Sequence, residues 1–163
     1  MEINCKQTTI EDKICEVLII GISRNDFKLK LTGNERLKKV CADFFRTKDF
    51  KGKANETALL YSQERLAAKR LFFVGLGEVD KYDLEKLRQA AGTAAKTLMR
   101  LGLRQLTLAI ETFASKQFNT HELAQALTEG VVLATYQYTA FKAVAADDEM
   151  AVDEAMVLFQ KSN

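Results

Sequence analysis

Residues 69–102, KRLFFVGLGEVDKYDLEKLRQAAGTAAKTLMRLG, constrain the fold more than any other part of the chain. Leu71, Phe72, Phe73 and Val74 form an unbroken apolar run, the pattern of a strand covered on both faces. Gly75 and Gly77 follow and read as a sharp turn. From Leu84 the period becomes helical, with Leu87, Ala91, Ala94 and Leu98 on one stripe. Ala90, Ala91, Gly92, Ala94 and Ala95 flatten that stripe, so the helix can lie close on a sheet. Strand, turn and small-faced helix together make the core of an α/β layer.

The rest of the chain repeats that alternation. Residues 2–8 alternate loosely as a first strand. Residues 15–22 (CEVLIIGI) are apolar enough for a central one. Asn34 is placed to cap a helix running to about Arg46, with Leu37, Val40, Cys41 and Phe44 on one face. A polar loop over 46–56 leads to a short strand at 57–62, then to the strand near 69–75 and the helix near 83–101. Gly102 is placed as the residue that ends this helix. Residues 103–110 alternate as another strand. Asn119 or Thr120 caps the next helix, and Asn119 with Glu122 has capping-box spacing. Leu123, Leu127, Val131, Ala134 and Tyr138 line its face. An acidic link, with Asp147, Asp148 and Glu149 as solvated surface, precedes a last strand at 155–160. At 163 residues this is one α/β domain, with helices on both faces of its sheet.

Charge and cysteine usage exclude several function classes. A net charge of +2 demands no acidic partner. No apolar run approaches the ~20 residues of a membrane span. The opening MEINCKQTTIEDK lacks the apolar segment of a signal peptide. Cys5, Cys15 and Cys41 are odd in number and form no CxxC pair, which fits reduced thiols and a cytoplasmic location. Cys15 and Cys41 sit at apolar positions, as core residues do.

Candidate chemistry is sparse. Gly75-Leu-Gly77 after a strand invites a dinucleotide-loop reading, but the third glycine of that fingerprint is replaced by Asp80. Glu78, Asp83 and Glu85 add carboxylates that would repel a phosphate and that suit the helix N-terminus themselves. A plain strand-to-helix turn is the stronger reading. His121, the single histidine, lies in the first turn of a helix beside Glu122, and nothing converges on it as zinc would require. No P-loop, nucleophile elbow or H-E-x-x-H motif occurs. Residues 24–53 hold ten Lys or Arg against four Asp or Glu, interleaved with Phe44, Phe45 and Phe50. Such a mixture can bind nucleic acid. The basic residues are spread rather than striped, however, and Phe44 belongs to an apolar face, so solvated surface is preferred.

Four segments in order carry a family resemblance. Residues 49–57 (DFKGKANET), 69–77 (KRLFFVGLG), 84–92 (LEKLRQAAG) and 126–130 (ALTEG, with Tyr136, Tyr138 and Lys142 beyond) resemble the N-terminal domain of the leucyl, or cytosol, aminopeptidase family. The resemblance implies a three-layer α/β/α sandwich with a mixed sheet, similar to macro domains. It implies a parent enzyme that releases N-terminal amino acids from peptides with two divalent metals such as zinc or manganese. Those metals belong to the family's C-terminal domain, whose signatures resemble DSGG and NTDAEGRL. Neither occurs here, and the chain stops where that domain would begin.

The expectation is therefore a non-catalytic domain that carries no catalytic, cofactor-binding or metal residue of its own. Its implied role is to pack against the catalytic domain, shape access to the site and support assembly. The full enzymes of the family are typically hexamers, and the piece alone is expected to be a monomer or a weak dimer. Two alternatives are retained: a macro-like pocket for ADP-ribose or a related nucleotide near Gly75 and Gly77, and DNA contact through 24–53, with Lys38 and Lys39 as the residues to test.

Overall fold

The computed structural model describes residues 1–24, 35–78, 81–136 and 151–159. Two interior strands, β2 (Leu18–Ser23) and β4 (Arg70–Gly77), run parallel, with Leu18 beside Leu71 and Ile20 beside Phe73. Four further strands are β1 (Glu2–Gln7), β3 (Thr57–Tyr61), β5 (Gln105–Ala109) and β6 (Glu154–Phe159). They complete one sheet in the order β1-β6-β5-β2-β4-β3. All pairings are parallel except β3 with β4, which makes the sheet mixed. Three helices follow in chain order: α1 (Glu35–Phe45), α2 (Leu84–Arg100) and α3 (Thr120–Thr135).

The two-residue period of the strands sorts their side chains into two cores. Ile19, Phe72, Val74, Leu108 and Val157 face one way and pack with α2 and α3. Leu18, Ile20, Leu71, Phe73 and Leu158 face the other and pack with Leu37, Val40 and Cys41 of α1. The expected three-layer α/β/α sandwich results. On α2, Leu87, Ala91, Ala94 and Leu98 are completely buried. On α3, the side chain of Asn119 accepts from the Glu122 N–H while the Glu122 carboxylate accepts from the Asn119 N–H, which closes the capping box.

Several details differ from the sequence reading. The second strand starts at Leu18 rather than at 15, and Cys15 makes only an isolated bridge to Ala68. β5 ends in a 3-10 turn, Ile110–Phe113. There the buried Thr112 hydroxyl accepts from the Gly21 N–H at 2.9 Å and donates to the Ala109 carbonyl at 2.7 Å. The small face of α2 serves the neighbouring helix as well as the sheet. A Cβ on Gly92 would lie 3.2 Å from the Gly130 carbonyl oxygen, and one on Gly130 would lie 2.3 Å from that of Arg88. The Arg88 Nε–Glu129 ion pair, at 2.6 Å, flanks this crossing. Asn34, Asp80, Tyr138, Lys142 and the acidic residues 147–149 lie outside the described residues.

Candidate functional site

The Gly75–Gly77 segment is not a turn as expected. β4 continues through Gly75, because the loop at 52–56 lies against it and forms three backbone bonds. The Gly75 N–H donates to Glu56 at 2.7 Å, the Asn55 N–H donates to Gly75 at 2.9 Å, and the Gly77 N–H donates to Gly52 at 3.0 Å. A side chain at Gly75 has no room, since its Cβ would stand 1.9 Å from the Lys53 carbonyl oxygen. Only Gly77, at φ +75°, has the left-handed backbone that ends the strand.

Beyond Gly77 the ends of β2 and β4 open into a cleft of about 310 Å³ lined by Arg24, Lys53, Gly77, Glu78, Lys81 and Lys86, among others. Chain direction explains the convergence. β2 and β4 are parallel neighbours, so Arg24 and Glu78 leave the sheet at the same edge and pair at 3.1 Å. Lys81 pairs with Glu78 at 2.7 Å. The bond from Lys81, with Arg24 nearby, holds the Glu78 carboxyl below its ordinary range. Arg24 and Lys53 were not singled out individually by the sequence, because only the sheet order brings them to the cleft.

The start of α2 is already occupied. Asp83 is its N-cap and accepts from the Lys86 N–H at 2.7 Å, a bond that lowers the Asp83 pKa. Asp83→Ala is expected to cost about 1 kcal/mol at pH 7, read by urea unfolding. The Asp83 contribution is fully present above the carboxyl's ordinary pKa. It is lost as pH falls through the lower folded-state value, because the protonated group no longer caps as a charge. Wild type and variant should therefore converge in acid.

The other candidates stay apart. His121 is exposed in the first turn of α3, and among the described residues no group of three or more His, Cys, Asp or Glu could hold a metal ion. Cys41 is buried, and burial pushes its thiol up to about 12. Cys15 is half-buried, and its pKa is raised, again chiefly by burial. Neither is a ready thiolate nucleophile, and Cys5 is exposed on β1. Phe44 stacks on Phe73 with centroids 5.0 Å apart, and Phe45 and Phe50 pack around the same ring at 5.3 and 6.1 Å. These aromatics are engaged with each other rather than presented as a stacking surface for bases. Lys38 pairs with Glu35 on its own helix. No helix among the described residues is long and apolar enough to cross a membrane.

Comparison with known proteins by sequence points to one family, and comparison by structure to a wider fold. Residues 19–144 match the model of the cytosol aminopeptidase family, N-terminal domain. A relative described as "Probable cytosol aminopeptidase" from Geotalea uraniireducens is 28% identical over 91% of this chain and 30% of its own length. Tomato leucine aminopeptidase, solved as a K354E mutant, superposes with a TM-score of 0.74 at 19% identity, covering 100% of this chain and 33% of that one. The macrodomain of Trypanosoma brucei, solved in complex with ADP-ribose, superposes with a TM-score of 0.70 at 10% identity, over 98% of this chain and 64% of that one. At these identities the two structures show a shared fold. The chain spans under a third of the length of the curated relatives it matches, 30% of that from Geotalea uraniireducens. With a family-model match over most of its length, the chain belongs to the cytosol aminopeptidase family, as its N-terminal domain.

Proposed function

We propose that this domain is non-catalytic and acts structurally, by packing against the family's metal-dependent catalytic part, supporting its assembly and shaping access to its active site. The observation that carries this reading is the coverage. The match is to the N-terminal domain model and takes up 30% of a relative's length, and the family resemblance implies that the aminopeptidase chemistry lies in the remainder. The domain's own polar groups support it, because those at the strand ends are engaged in holding the fold. Asp83 caps a helix, Glu78 ties two loops together, and Thr112 bonds the 3-10 turn to β2. The two divalent metals and the cytoplasmic location are part of the same proposal.

The test is to add the purified domain to a family member's catalytic portion made without its own N-terminal domain. A rise in the melting temperature of that portion, or a change in KM between short and long peptides, is expected. No effect on either would contradict the role.

The cleft favours a second reading, a macro-like nucleotide module. Four cations, Arg24, Lys53, Lys81 and Lys86, line it against Glu78. Charge of that sign attracts a diphosphate. The Glu78 carboxylate and the occupied N-terminus of α2 oppose one. Calorimetry with ADP-ribose decides: heat that disappears in Lys53→Ala would favour the module, and no heat at high micromolar ligand would remove it. DNA contact through 24–53 is the weakest reading, since Phe44, Phe45 and Phe50 are packed around Phe73.

A further inference from the structure

We infer that β1 is a self-association edge, at which a second copy of this chain pairs antiparallel about a two-fold axis at Asn4. This is independent of the role proposed above. Among the described residues β1 lies at the end of the sheet, bonded to β6 on one side only, and its residues are exposed apart from the half-buried Asn4. The Glu2 N–H donates to Asp153 at 2.7 Å and the Thr8 N–H to Phe159 at 3.2 Å, so the even-numbered residues face β6. In a parallel ladder the alternate residues then turn both backbone groups away. Among the described residues, Ile3, Cys5 and Gln7 thus present free donors and acceptors along the open edge.

An antiparallel partner bonds where two such outward-facing residues stand opposite one another. Placing the axis at Asn4 sets Ile3 against Cys5 of the second copy and Met1 against Gln7. All are odd-numbered, so the backbone parity is met. The same register sets Glu2 opposite Lys6 twice. Among the described residues neither Glu2 nor Lys6 has an ion-pair partner. Glu2 also lies beside Glu154 on β6, a like-charge neighbour that an incoming lysine would offset. Moving the axis to Ile3 or to Cys5 keeps the parity but separates Glu2 from Lys6. Charge therefore selects one register.

The side chains agree with this arrangement. Ile3 and Cys5 neighbour Ala155 and Val157, so they lie on the α3 side of the sheet. Ile3 is 40% exposed. In the pair, two isoleucines and two cysteines would cover one another. Edge strands are commonly blunted by charge; here the charges are arranged so that a second copy satisfies them. A six-residue strand gives a contact at the small end of specific interfaces, so the pair forms at high protein concentration.

The test is sedimentation velocity of the full chain from about 10 µM to about 1 mM, a span suited to a weak contact. The natural chain is expected to move from monomer toward dimer. Lys6→Glu and Glu2→Lys should each weaken the dimer about tenfold or more, since each sets like charges opposite one another. The double exchange, Glu2→Lys with Lys6→Glu, should restore it. These are exposed positions whose exchange leaves the core intact. A chain that stays monomeric throughout, single variants with unchanged association, or a double exchange no tighter than the singles would each overturn the inference.

Discussion

Gly75→Ala is expected to lower the melting temperature by about 4–10 °C, the shift that roughly 2–2.5 kcal/mol produces in a domain of this size. An alanine in a strand normally gains about 0.5–1 kcal/mol over glycine. Here its Cβ would meet the Lys53 carbonyl oxygen at 1.9 Å and the Gly52 carbonyl carbon at 2.8 Å. Both are backbone atoms, so no side-chain rotation relieves the overlap. The loop must withdraw, and three backbone bonds joining it to Gly75 and Gly77 go with it. At about 1 kcal/mol net apiece, their loss outweighs the propensity gain. Circular dichroism melts check this. A shift below about 2 °C, under 1 kcal/mol in such a domain, would mean the loop yields freely. The same withdrawal would open the cleft by moving Lys53, so any ligand heat should fall with it.

Gly130→Ala sets a larger propensity against a smaller overlap. Alanine is favoured over glycine inside a helix by about 0.8–1 kcal/mol. Against that, the new Cβ would lie 2.3 Å from the Arg88 carbonyl oxygen and 2.9 Å from two further backbone atoms of Arg88. Relief requires α2 and α3 to separate, which loosens the packing of Ala91, Ala94, Leu127 and Val131, all completely buried. Overpacking of this kind costs about 1–3 kcal/mol, so a net loss of up to about 2 kcal/mol is expected in urea unfolding. Stabilisation would show that the helix pair tolerates a wider spacing.

What was legible in the sequence was local. The stripe on α2, the apolar run of β4 and the Asn119–Glu122 capping box each depend on residues within one helix or one strand, and each appears in the structure. The mixed α/β sandwich followed from that alternation together with the family resemblance. The features that escaped depend on distant segments. Gly75 reads as a turn until the loop at 52–56 is known to lie against it. Gly92 and Gly130 are 38 positions apart, and their close approach is set by the crossing of two helices. Arg24 and Lys53 reach one cleft only because β2 and β4 are parallel neighbours. Thr112 carries no signal in its own sequence context; its bond to the Gly21 N–H follows from a strand order that periodicity alone does not give.

The most direct test of the non-catalytic reading is hydrolysis of a leucine chromogenic amide by the purified 163-residue chain with manganese or zinc added. Release of chromophore no faster than in the metal-only control is the expected result. Robust turnover that rises with protein concentration would contradict it.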